Sequence, residues 1–379
     1  MPLAPLLLLL TTTQPAVPPS AAGQTIVVTG TRLSDTEKAL NACLARHCPP
    51  AEDIRASLAH AENLFVAGRY RDAQAVTAAA VGRNKRYRKD LPVDVSDLYR
   101  ANGRLAAHIG EAHEQEMSVG AMYGTLSTAF GNTDPRVLAA DVERGDMYVL
   151  VGREELARHI YEETERHARA AGRADLAAIA RVRAAWLFQQ TGDIGFARQA
   201  LEKIAADPSP QAKVGRLAAH VLLATLDRRA GKRQSTDALI EELRNAHMAR
   251  PVLLYAPPLD LERAVRESGA PSFTRHMGRT ALDGNWVDIG FWIGPDGKVH
   301  DVERLRGEGA TGWTPTVLAA IQGRIYAPVD GPIGTYRVER YTYLTRWVEK
   351  FIVNMMARVP QPDIQTLDLT ADPSPATKP

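Results

Sequence analysis

Ala67-Gly68-Arg69-Tyr70-Arg71-Asp72-Ala73 carries the plan of most of this chain. Gly68 can end one helix in the left-handed conformation that other residues avoid. Ala73 then offers a minimal side chain where a second helix folds back against the first. The plan returns: Gly110 is followed by Ala112, Gly152 by Ala157, Gly192 by Ala197 and Gly231 by Thr236. Successive glycines are 42, 42, 40 and 39 residues apart. Seven residues before each stands Ala61, Gly103, Gly145, Ala185 or Ala224. Small residues there let two helices cross closely, where bulky ones would hold the backbones apart. Three residues further on are Leu64, Ala106, Tyr148, Phe188 and Asp227. Asp227 and Thr236 set the fifth repeat apart, as expected of a terminal repeat facing solvent. The spacing predicts an α-solenoid of helix hairpins.

These positions resemble tetratricopeptide repeats, with Gly68, Tyr70, Ala73 and Ala80 at the family's turn, aromatic and small positions. The resemblance covers residues 54–246, with a period longer than the usual 34 and with the alanine of the second repeat out of register. It implies a concave face that binds peptides or protein partners. The other reading is a spacer, or a face packed on the chain's own second domain.

Composition shifts near residue 250. The prolines of Arg250-Pro251 and Pro257-Pro258 cannot continue a helix, so 247–271 reads as an extended linker or short edge strand. Four of the five tryptophans then fall within residues 286–347. Trp286–Ile293 alternates, with Val287, Ile289, Phe291 and Ile293 on one face and Trp286, Asp288, Gly290 and Trp292 on the other. Pro295-Asp296-Gly297-Lys298 predicts a hairpin turn centred on Asp296 and Gly297, and Val299–Leu305 the returning strand. Thr314 is placed as a helix N-cap before Pro315, Val317, Leu318 and Ile321, with Gly323 as the stop. Tyr336–Leu344 reads as the last strand, giving the order β-β-α-β. Thr345–Arg358 reads as a final helix, because Trp347, Phe351 and Met355 recur at helical spacing. Residues 359–379, rich in Pro, Asp and Thr, read as disordered.

Over residues 272–348 this region resembles the TonB C-terminal domain. The carriers are Val287–Ile293 before Pro295–Val299, the helix ending at Arg324-Ile325-Tyr326-Ala327-Pro328, then Asp330-Gly331-Pro332 and the last strand. The resemblance implies a periplasmic interaction domain, placed at 272–358 with its final helix, that pairs with extended peptides. TonB energisers also carry a spanning helix and a long Pro-rich arm. Neither is seen in this sequence, which weighs against proton-motive-force transduction by the usual route.

The start is read in the same spirit. Leu6–Leu10 and Ser20-Ala21-Ala22 make 1–22 either a secretory signal, although no Lys or Arg stands near its start, or a disordered tail. In 23–33, Ile26, Val27, Val28 and Thr29 favour an extended strand. They resemble the TonB box of outer-membrane receptors, which implies a strand-pairing segment. The other reading is an apolar strand packed on its own chain. Residues 34–53 form a helical clip, with Ser34 and Glu37 placed as a capping box and Pro49 and Pro50 ending the helix. Cys43 and Cys48 flank that helix end, either as a disulfide in an oxidising compartment or as two thiols.

Lys and Arg number 46 and Asp and Glu 44, a net charge of +2, which argues against nucleic-acid binding. No apolar run approaches the roughly 20 residues of a membrane span, so no transmembrane segment is expected in the mature chain. His108 and His113 are five apart and do not share a helix face as a zinc pair would. Glu154 with Arg158 and Glu162 with Arg166 read as i,i+4 pairs on a solvated face, beside surface His159 and His167. No HExxH, GxSxG or phosphate-loop pattern is present. The expectation is mainly α with a small α+β domain. It reads as a periplasmic protein-interaction adaptor or, alternatively, as an accessory of TonB-dependent outer-membrane transport, with an enzyme of unrecognised site the least favoured reading, and with no cofactor or metal. Its partners are proteins, TonB-system or outer-membrane receptor proteins among them.

Overall fold

The computed structural model describes residues 31–190, 192–209, 212–232, 234–244, 251–261, 263–264, 282–309, 311–328, 334–352 and 355–370. The signal-like residues 1–22, the expected strand Ile26-Val27-Val28-Thr29 and the run Asp330-Gly331-Pro332 lie outside them.

The helices are α1 (Leu33–Ala45), α2 (Pro50–Val66), α3 (Tyr70–Asn84), α4 (Pro92–His108), α5 (Ala112–Phe130), α6 (Pro135–Leu150), α7 (Glu154–Ala170), α8 (Ala174–Gln190), α9 (Ile194–Ala205), α10 (Lys213–Arg229) and α11 (Gln234–Arg244). From α2 onward they pair into five hairpins. Pro50, Pro92 and Pro135 open three of the first helices, where a missing N–H removes no intrahelical bond. Gly68, Gly110, Gly152, Gly192 and Gly231 follow the first helix of each hairpin at φ between +76° and +94°. The chain is thus a TPR-like stack of helix hairpins followed by a small β-sheet region.

The small residues sit at the crossings. Ala61, Ala185 and Ala224 are buried, and a Cβ at Gly145 would collide with the Tyr161 ring. Five residues past the turn glycine, Ala73, Ala157 and Ala197 are fully buried. In the second hairpin that place belongs to Gln115, also buried, and Ala112 lies only half-buried at the helix start. Ion pairs tie hairpins together: Arg100 to Glu143 at 3.1 Å, Arg183 to Asp146 at 3.2 Å and Arg198 to Asp227 at 2.6 Å.

Two local details differ from expectation. Helix α1 begins at Leu33 with Arg32 as its N-cap, so Ser34 lies inside it and the capping box does not form. On α7, Arg158 pairs with Glu155 and Glu162, and Arg166 with Glu163. Neighbours at i,i+3 and i,i+4 are about equally close on a helix, and spacing alone does not choose between them.

The remaining elements are β1 (Leu253–Tyr255), β2 (Trp286–Ile293), β3 (Val299–Glu308), α12 (Thr314–Gln322), β4 (Ile325–Tyr326), β5 (Thr335–Ile352) and β6 (Met355–Asp368). An antiparallel sheet runs β3-β2-β5-β6, and β1 pairs with β4 as a separate ribbon. Residues Val287, Ile289, Phe291 and Ile293 form the sheet's core with Trp313, Val317, Ile321 and Tyr343. Thr314 lies inside α12, and its buried Oγ1 caps nothing.

The expected final helix and much of the expected disordered tail are a long β-hairpin. β5 continues past Leu344 to Ile352, and β6 occupies 355–368. The alternating aromatic and β-branched run Tyr341-Thr342-Tyr343-Leu344-Thr345-Arg346-Trp347-Val348 fits a pleated surface, and this outweighs three apolar residues at helical spacing. Pro360 and Pro362 are tolerated because β6 is an edge strand. The linker is likewise partly a strand. Leu254 of β1 is buried with Val221, Ala224, Leu239 and Leu243 of the fifth hairpin.

Candidate functional site

The distinctive feature is the seam where the sheet lies on the repeat turns. β2 accompanies β5 only as far as the pair Trp286 and Thr342. Past the bond from the Tyr343 N–H to the Asn285 carbonyl, that side of β5 has no strand beside it among the described residues. The repeats take its place. The Thr345 carbonyl oxygen lies 2.8 Å from where a Cβ at Gly110 would stand, and the Glu349 oxygen 2.6 Å from one at Gly152. The Glu349 N–H donates to the Val151 carbonyl at 2.9 Å. At Gly68, the Trp286 indole occupies the corresponding space. From Thr342 to Thr345 to Glu349, β5 advances one hairpin every three or four residues. That is about 10–13 Å, on the order of the separation of packed helices. The turn glycines therefore serve twice, supplying positive φ and leaving room for a strand.

A buried charge fastens the first hairpin. Arg340 is fully buried and donates to both Asp288 oxygens, at 2.6 and 2.9 Å. Its other nitrogen donates to the Phe65 and Val66 carbonyls at the end of α2, at 3.2 and 2.8 Å, the Phe65 carbonyl also accepting from the Gly68 N–H at 2.9 Å. Its guanidinium lies 3.8 Å from the Trp286 ring centroid, and Arg306 also reaches Asp288, at 2.7 Å. Beside it, Thr342 Oγ1 bonds Tyr70 at 3.1 Å and His108 at 2.9 Å. The His108 ring lies 4.3 Å from Tyr70 and 4.9 Å from Phe65. On the third hairpin, Arg153 bridges Glu116 at 2.6 Å and Glu349 at 2.8 Å. The hydrogen bond from Arg153 holds the Glu349 carboxyl below its ordinary range.

Burial lowers the His108 pKa to about 4; the Arg340 and Arg346 cations push the same way, and a bond with Gln365 opposes them. His108 is therefore neutral in the folded state. The unfolded chain takes up a proton near its ordinary value, so it binds more protons than the fold between about pH 6.5 and 4. Stability falls as pH drops through that window. Urea unfolding is expected to show about 2–3 kcal/mol lost between pH 7 and 4.5 from this group, a slope that His108→Gln flattens.

The sequence-derived positions fall as follows. Gly68, Gly110 and Gly152 lie at the seam, and no atom of another residue crowds the Cβ position at Gly192 or Gly231. Cys43 and Cys48 are joined as a disulfide with Cα atoms 5.1 Å apart, between α1 and α2. Asp296 accepts from the Lys298 N–H at 3.0 Å, and the Gly297 carbonyl accepts from Tyr326 at 2.8 Å, so this turn anchors β4. Asp288, Arg340 and His108 were not singled out as a site. Their signal was a carboxylate and an arginine inside apolar strands, which marks a buried pair only once the strands are known to be neighbours.

Two sheet edges remain. β3 is exposed, with Glu303, Arg304 and Leu305 outward and irregular register against β2. β6 carries Pro360 and Pro362, which cannot donate to an added strand. An open cleft of about 520 Å³ lies where Trp347 and Arg358 face Glu111, His113 and Glu114 at the start of α5. Among the described residues no group of three or more His, Cys, Asp or Glu could hold a metal. No helix of the described residues is long and apolar enough to cross a membrane.

No protein-family model matches this chain, and no curated protein matches it. Several solved structures are similar. A kinesin light chain of Podosopora anserina with nearly identical TPR-like repeats is 19% identical, covers 52% of this chain and 94% of its own, and gives a TM-score of 0.42. BtubC of P. vanneervenii is 14% identical, covering 58% and 90% respectively, with a TM-score of 0.44. NprR in complex with its cognate peptide NprX is 14% identical, covering 57% and 62%, with a TM-score of 0.37. This chain thus spans less than two thirds of that last protein.

Proposed function

We propose that this chain is a protein-interaction adaptor acting outside the cytoplasm. The observation that carries the reading is the seam. The sheet occupies the turn edge of the first three hairpins in cis, leaving the helix faces and the β3 edge as the surfaces open to a partner. Arg104 on α4, 3.6 Å from Glu143 of the next hairpin, is an exposed member of the cross-repeat ion pairs. The Cys43–Cys48 disulfide supports an oxidising compartment, in keeping with the signal-like start. No catalytic step is assigned.

The finer reading is a TonB-like module that takes an extended segment at β3, with TonB-system or outer-membrane receptor proteins as partners. Leu305 and its charged neighbours are solvent-facing on an edge that, among the described residues, pairs with no further strand. The TonB-box-like sequence Ile26-Val27-Val28-Thr29 is one such segment.

Crosslinked affinity capture from intact cells tests both levels. Full-length protein is expected to capture a discrete partner that Arg104→Glu loses. Leu305→Pro is expected to lose any strand-paired partner while leaving thermal stability within about 1 kcal/mol, as for an exposed edge position. Identical captures with parent and both variants would contradict the adaptor reading. Unchanged growth of a deletion strain on every nutrient requiring TonB-dependent receptors would remove the finer one.

A further inference from the structure

Past Glu349 the β5–β6 hairpin leaves the repeats, and its outermost described pairs, here called the tip, are apolar. Phe351 is 70% exposed, Met355 63% and Met356 57%. Phe351 pairs with Met356, and Ile352 with Met355. Successive pairs on a hairpin face opposite ways, so one apolar pair lies on each face of the tip. A hairpin built to dock on a flat protein surface needs only one apolar face. One that is apolar on both is suited to being surrounded.

On the hairpin itself the charges behind the tip have one dominant sign. Residues 347–361 contain Lys350 and Arg358 against the single carboxylate of Glu349. Glu349 is shared between Arg153 at 2.8 Å and the half-exposed Arg358 at 3.4 Å, two guanidinium cations on one carboxylate. Lys350 is exposed and stands opposite Ala357, one residue behind the apolar pairs. Two pairs of residues reach about 7 Å beyond this rim, which matches the depth of roughly 5–10 Å to which interfacial elements enter a bilayer. Large apolar residues also lie exposed after the turns at Gly152 and Gly192: Leu156, Ile194 and Phe196.

We infer that the β5–β6 tip is a membrane-surface anchor that places Phe351, Ile352, Met355 and Met356 in the interface of an anionic bilayer, with Lys350 and Arg358 at its headgroups. A second copy of the chain is the poorer occupant. A symmetric tip-to-tip contact would bring Lys350 and Arg358 against their own counterparts, and like charges at an interface are repelled. The inference stands apart from the partner proposed above, because the tip belongs neither to the helix faces nor to the β3 edge.

The test is co-sedimentation of the full-length protein with vesicles of phosphatidylcholine alone and of phosphatidylcholine with phosphatidylglycerol. Binding is expected to the anionic vesicles and to weaken with salt. The triple variant Phe351→Ser, Met355→Ser, Met356→Ser is expected to lose at least about tenfold in binding, given the apolar area withdrawn from lipid. Its melting temperature should match the parent's, because the three side chains are exposed. Lys350→Glu is expected to reduce binding to anionic vesicles several-fold, and Phe351→Trp to show blue-shifted emission on adding them. Equal sedimentation of parent and triple variant, or no vesicle binding by the parent, would overturn the inference. So would a dimer in sedimentation velocity that the triple variant disperses, with no vesicle binding; that result would assign the tip to a second copy.

Discussion

Arg340→Ala is expected to lower the unfolding free energy by about 3–5 kcal/mol, the range for removing one partner of a buried ion pair. Arg340 is fully buried, and Asp288 is 1% exposed. The substitution strips two bonds from Asp288 and takes the Arg340 donor from the Phe65 and Val66 carbonyls, of which Phe65 keeps the Gly68 N–H. Arg306 remains on Asp288, which places the expected loss toward the lower end of the range. Trp286 also loses the cation stacked on its ring. The joint change Arg340→Met with Asp288→Leu is expected to recover most of the loss, because a matched apolar pair leaves no charge stranded. Urea unfolding measures the size of the effect, and limited proteolysis in the 245–285 region its location. A loss under about 1 kcal/mol for the single variant would place Arg340 in water rather than in the seam.

The second large effect separates the two services of a turn glycine. Gly152→Ala and Gly192→Ala both force alanine into the left-handed region, at φ +79° and +94°, which costs about 1–2 kcal/mol. Only at Gly152 does the new methyl meet a backbone, with the Glu349 oxygen at 2.6 Å and its nitrogen at 3.1 Å. That contact is with main chain on a paired strand and cannot be relieved by a side-chain rotation. A further 1–3 kcal/mol of overpacking is expected there. Gly152→Ala should therefore cost about 2–5 kcal/mol and Gly192→Ala about 1–2 by urea unfolding. Equal losses would mean that β5 does not rest on the third turn.

These two experiments bear on what was and was not readable in the residues. The hairpin array was legible because it rests on local chemistry: a glycine past a helix end and a small residue seven positions before it. The pairing of β2 with β3 through Asp296 and Gly297 was legible for the same reason. The sequence around Thr345–Arg358 misled because helical and strand periods compete over short stretches, and Trp347, Phe351 and Met355 satisfied the wrong one. The partner strand β6 that settles the matter contains Pro360 and Pro362, which read locally as disorder. The seam itself was not legible. Nothing local links Arg340 to Val66, or Glu349 to Gly152, because each contact joins residues about 200 or more apart. His108, set aside as a metal ligand, proved to be a neutral core group held by Thr342.

Amide hydrogen exchange along β5 tests the docked sheet most directly, since the surfaces left for partners follow from it. The account predicts that Tyr343 and Glu349, bonded to Asn285 and Val151 rather than to a neighbouring long strand, exchange as slowly as the central helices α4 and α6. It also predicts that Gly152→Ala speeds exchange at Glu349 before Tyr343. If Glu349 exchanges in the parent at the rate of a solvent-facing edge strand while Tyr343 stays protected, the strand does not lie on the repeat turns and the account is wrong.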